Sequence, residues 1–124
     1  MQRLTTLLLA ILFLMLFTNF AWSDDGIDII QPNKVAALTS IQKKIDSIGQ
    51  AVTGCVGTGK KHGACMCESE ELILNFNGAV EKLFETYTDL KTMDLVRFRM
   101  PNGMSVAQSL SGIKNQAQMK LSCN

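Results

Sequence analysis

The chain holds a single histidine, His62, in a glycine-rich stretch, and no Ser or Cys stands beside it in a recognised catalytic pattern. Hydrolysis by a nucleophile and an imidazole base therefore has little to work with. A large charge of one sign is also lacking. Of the 12 Lys and Arg only Arg3 precedes residue 24, so from Asp24 onward the basic residues balance the 11 Asp and Glu. A neutral chain has no overall positive field to hold nucleic acid, and that partner class is set aside. No internal repeat or low-complexity tract is present. The one long apolar run, Leu7 to Phe17, is shorter than the roughly 20 residues a membrane-spanning helix needs.

That run has the form of an export signal, with basic Arg3 before it and Thr18-Asn19-Phe20-Ala21-Trp22-Ser23 after it. The small residues Ala21 and Ser23 predict cleavage after Ser23, so that 1–23 is a leader and the mature chain starts at Asp24. Export then implies a periplasmic or otherwise secreted protein without stable membrane insertion after cleavage. The mature part is one domain with one modest core.

Residues 24–32 have no helical period and read as a flexible N-terminal arm; 33–124 read as the helical domain. From a cap at Asn33, the apolar residues Val35, Leu38, Ile41, Ile45, Ile48 and Val52 share one helical stripe, which Gly54 stops. Leu72, Phe76, Val80, Leu83, Phe84, Tyr87 and Leu90 form a second stripe. Glu68, Glu70 and Glu71 stand in or near its first turn, where the helix dipole favours acid, and Asn77-Gly78 marks a place where it could break. A third helix is predicted from Val106 to Leu121, with Ser105 and Gln108 as a capping box and Lys120 in its last turn. Before it, Leu95 to Met100 alternates apolar and basic residues, which reads as a short extended segment ahead of the turn residues Pro101-Asn102-Gly103.

Four cysteines in a small exported chain imply disulfides. Three helices joined by short loops run up, down and up, which brings Cys55, Cys65, Cys67 and Cys123 to one pole. A Cys65–Cys67 bond would close a strained ring. The expected pairs are Cys55 with Cys65 or Cys67, and the remaining one with Cys123. The fold class is thus all-α: an up-down-up three-helix bundle, its second helix open to a break at Asn77-Gly78, stapled at one pole by two disulfides.

Gly54-Cys55-Val56-Gly57-Thr58-Gly59-Lys60 matches most of a P-loop, but Lys61 replaces the magnesium-binding Ser or Thr and no strand precedes it. Its glycines read as turn formers in a disulfide-closed loop. Cys55, His62, Cys65 and Cys67, with Met66 among them, would suit a soft metal only as thiolates, and oxidation competes for them; no metal or other cofactor is assigned. Two exposed features suit a protein partner. Lys60, Lys61 and His62 sit in the loop that a disulfide pre-orders, and Arg97, Phe98 and Arg99 combine the residue types enriched at interface hot spots.

A leader, about a hundred helical residues, the staples at Cys55, Cys65, Cys67 and Cys123, and no catalytic set together resemble the small periplasmic immunity proteins of bacterial type VI secretion systems. The resemblance spans the mature chain and is architectural. It implies a non-enzymatic inhibitor that blocks a cell-wall-degrading effector, a peptidoglycan hydrolase, by occupying its cleft. It transfers no site residues. The alternatives are a periplasmic carrier of a small ligand or soft metal such as copper, and a structural envelope protein; pairing with a second copy of the chain is left open.

Overall fold

The computed structural model describes residues 26–123. The expected leader 1–23, the expected cleavage after Ser23, and Asp24 and Asp25 lie outside the described residues. The first strand, β1 (Ile27–Asp28), leads into the longest helix, α1 (Pro32–Gly57). Pro32 occupies the first turn, where its fixed φ suits the helix and its missing N–H costs nothing. The cap is therefore Gln31, not Asn33. The helix also continues past Gly54. One interior glycine costs only about 1 kcal/mol, less than the hydrogen bonds gained by continuing, and the stop comes at Gly59, whose φ of +94° suits glycine. Leu38, Ile41 and Val52 of the expected stripe are buried, and Val35, Ile45 and Ile48 pack against the core.

A short helix, α2 (His62–Glu68), precedes α3 (Glu70–Thr86), with Ser69 between them. The interruption thus falls at Ser69, and α3 runs unbroken through Asn77-Gly78. Helical hydrogen bonding and the burial of Phe76 and Val80 on either side override the local turn preference. Ile73, Phe76, Val80, Leu83 and Phe84 face the core, while Leu72, expected there, is 38% exposed. A 3₁₀ turn (Thr88–Thr92) follows, buries Leu90 and places Asp89 beside Lys34 of α1. The hydrogen bond from Lys34 holds the Asp89 carboxyl below the usual carboxylate range. The Lys34 ammonium also lies 5.9 Å from the Tyr87 ring centre.

The extended segment forms β2 (Leu95–Arg99). The expected third helix is corrected: its first part is a strand, β3 (Ser105–Ser109), and α4 spans only Leu110–Gln118. The cap is Ser109, whose hydroxyl accepts from the Gly112 N–H at 3.1 Å, in place of the Ser105–Gln108 box. Lys120 falls beyond the helix. The hairpin loop Pro101-Asn102-Gly103 is closed by Met100 N–H donating to Met104 C=O (2.8 Å) and by Gly103 at φ +88°, the residue a three-residue loop requires. The sheet order is β1-β2-β3, with β1 parallel and β3 antiparallel to β2. The all-α expectation is therefore corrected to a helical domain carrying a small three-stranded sheet. The segment 24–32, read as a flexible arm, is docked over its described part: Ile27 and Asp28 pair with Val96 and Arg97, and Ile29 is buried.

The helix directions follow from contacts at their ends. Cys55, near the end of α1, bonds Cys65, just before α3, and Lys34 at the start of α1 meets Asp89 just after α3. Leu110 donates to Asp94 C=O (2.7 Å) beyond the end of α3, and Cys123 bonds Cys67 before its start. The helices α1, α3 and α4 accordingly run up, down and up, with all four cysteines at one pole. One core joins the elements, with Leu38, Leu90, Val96 and Leu110 almost fully enclosed. No helix among the described residues is long and apolar enough to cross a membrane.

Candidate partner-binding site

Two groups of residues stand out in the sequence, and the fold places them at opposite ends of α1. Lys60, Lys61 and His62 follow its C-terminal end; Arg97, Phe98 and Arg99 lie on β2, in a groove that reaches Pro32 and Val35 at its N-terminal end. At 1.5 Å per residue, the 26 residues of α1 span about 39 Å between these ends. The two groups therefore form separate surfaces.

In the first group, the Cys55–Cys65 bond ties the end of α1 to the middle of α2 and fixes the connection between them. Lys61 is the cap residue of α2 and His62 its first residue, both exposed. Lys60 is engaged by Glu68 in an ion pair exposed on both sides, which leaves Lys61 and His62 as the freer projections. The P-loop resemblance ends in the backbone: Gly54 to Gly57 are the last turn of α1, so their N–H groups serve the helix and cannot cradle phosphate. The Cys67–Cys123 bond completes the oxidation of all four thiols, so the soft-metal set of the sequence reading has no thiolate in this state.

The second group is built on β2. Ile29 N–H donates to Arg97 C=O at 2.8 Å and holds the N-terminal segment against the strand. Arg97 reinforces this with its side chain: Nη2 donates to Gly26 C=O at 2.8 Å, and Nε lies 3.0 Å from Asp28 Oδ1 in an off-axis ion pair. Its charge is thus largely answered from within the chain. Phe98, on the opposite face of the strand, is 4% exposed and belongs to the core. It reaches the surface only through the groove it helps to line. Arg99, one step further on, is exposed and forms no ion pair among the described residues. The groove beside it holds about 650 Å³, and its wall includes Ile30, 85% exposed, and Pro32. Alternation of side chains along β2 explains the split: Val96 and Phe98 point to the core, Arg97 and Arg99 away from it.

Sequence reasoning missed Ile30 as part of this site, because residues 24–32 were read as a flexible arm. The signal available was the apolar cluster Ile27, Ile29 and Ile30, more than a solvated arm needs. A second concavity of about 600 Å³ lies between α3 and α4, lined by Val80, Phe84 and Ala117 with Glu81, Glu85 and Lys114 about it. Asn77 Oδ1, buried at this site, has no hydrogen-bond partner among the described residues. Comparison with protein-family models, with curated proteins and with solved structures gives no match to this chain.

Proposed function

We propose that this chain is a non-enzymatic binding protein that acts outside the cytoplasm as an immunity protein, docking on an exported cell-wall hydrolase and obstructing its cleft. The observation that supports this best is the groove beside β2, where Arg99, a cation without an ion pair among the described residues, stands next to the exposed apolar Ile30 on a frame held by the Arg97 clamp on Gly26 and Asp28. Hydrolases that cut peptidoglycan glycan strands commonly hold a pair of carboxylates in an open groove, which a guanidinium complements. An apolar neighbour supplies the buried contact that slows dissociation, while charge speeds association. A pre-ordered frame reduces the entropy lost on binding.

The test is inhibition of peptidoglycan hydrolysis by exported hydrolases of the same cells and their siblings. Replacing Arg99 with Glu together with Ile30 with Asp should weaken inhibition at least about 100-fold, the effect of losing one hot-spot contact and reversing one charge, with helical content unchanged. Replacing Lys60, Lys61 and His62 with Ala should matter far less. If the second set abolishes inhibition and the first does not, the contact lies at the disulfide pole. If no such hydrolase is bound or inhibited, the immunity reading fails. The carrier reading is favoured by one observation, the concavity between α3 and α4 with Asn77 Oδ1 unpartnered among the described residues; native mass spectrometry of the exported protein would then show a bound small molecule.

A further inference from the structure

The sheet ends on one side in β3, and the hydrogen bonds on β2 show which groups that edge presents. Arg97 C=O accepts from Ile29, so Arg97 turns its main-chain groups toward β1. Neighbouring residues on a strand turn theirs to the other side, so Val96 and Phe98 bond their partners Gln108 and Val106. The bond from Met100 N–H to Met104 C=O keeps the same alternation. Ser105 and Ala107 therefore turn both main-chain groups away from β2, and Ser109 turns its N–H the same way. Ser105, Ala107 and Ser109 are all exposed.

Edges of this kind are normally guarded by Lys, Pro or a bulge, since an open strand is a template for another. This one is unguarded. No charged residue occurs between Arg99 and Lys114, and the only proline there, Pro101, lies in the hairpin loop. We propose that β3 pairs antiparallel with β3 of a second copy of the chain, about a two-fold axis at Ala107, to make one continuous sheet across a homodimer. The sequence of the strand favours its own copy. Centred on Ala107, the pairing sets Ser105 against Ser109 and Val106 against Gln108 of the copy, small or neutral side chains that meet with no like-charge repulsion and little steric hindrance. It satisfies the outward groups with about four main-chain hydrogen bonds. Met104, 60% exposed at the start of the strand, gains cover from the end of the copy's strand. The inference does not rest on the proposed function, because it is carried by the main-chain groups of β3 and not by Arg99 or Ile30; the two surfaces meet at Ser105, which also lines the groove.

Sedimentation of the oxidised protein over a range of concentrations tests it. The wild type should be a dimer that dissociates on dilution. Ala107→Pro removes an outward-facing N–H without touching the β2 ladder, and Ala107→Lys installs a guard. Each should raise the dimer dissociation constant at least about tenfold while helical circular dichroism stays the same. Amide exchange of Ser105 and Ala107 should slow as the wild type is concentrated, which reads the interface even if the proline variant folds poorly. A wild type monomeric up to roughly 1 mM overturns the proposal. So does a dimer that ignores both folded variants, or whose Ser105 and Ala107 amides exchange at a rate independent of concentration.

Discussion

Gln108 is 5% exposed, and neither its amide donor nor its acceptor has a partner among the described residues. A buried amide of this kind forfeits its hydration without a hydrogen bond in return, a cost of about 1 to 3 kcal/mol. Gln108→Met keeps the length of the side chain and removes both orphaned groups. It should raise stability by about 1 to 2 kcal/mol, or roughly 5 to 10 °C in the melting midpoint of a domain this size, read by thermal denaturation. A lower midpoint would mean that an internal water bonds the amide. The sequence could not mark Gln108 as buried, because an expected capping box gave it a surface role. Arg97 shows the opposite case. As a charged residue in an alternating run it looked like a free contact for a partner, yet it clamps the N-terminal segment through Gly26, at a sequence separation of 71 that no local pattern reports.

Among the elements, α1 and α3 were legible because each carries a long apolar stripe at helical spacing, and such a stripe is buried whatever the ends do. Their ends were less so. Pro32 moved the start of α1, and a single glycine was too weak to stop it. The hairpin was half legible. Leu95 to Met100 and the turn residues after it pointed to extended chain, but Val106, Leu110, Ile113 and Ala117 also fit helical spacing. The strand prevails over 105–109 because β2 needs a partner for its backbone groups, and a three-residue turn supplies the nearest one. In α3, Gly78 is exposed, and a Cβ placed there would meet nothing within 4 Å. Gly78→Ala should therefore stabilise the protein by about 0.5 to 1 kcal/mol in urea unfolding, through the smaller freedom of the unfolded chain. A loss of stability instead would show that the helix bends at Asn77-Gly78 in solution.

For the whole molecule, the two disulfides are unequal. Cys67–Cys123 spans 56 residues and Cys55–Cys65 spans 10. Loop closure in the unfolded chain makes the longer bridge worth up to about 4 kcal/mol and the shorter about 3. Replacing Cys67 and Cys123 by Ser should lower stability more than replacing Cys55 and Cys65, as read by denaturant unfolding of the two double variants. The reverse order would mean that native contacts at the pole outweigh chain entropy. The pole itself was legible, since helix ends and cysteine positions coincide in the sequence; the groove was not, because its walls come from residues near 30 and near 99 that only the docked first strand brings together. The bridges have a further property: they neither cross nor nest. The first cysteine joins the second and the third joins the fourth. A chain threaded through a narrow pore with its N-terminus leading presents its thiols in the order in which they mate, so an oxidant that couples each new arrival to the last unpaired one writes the native connectivity directly, with no shuffling afterwards.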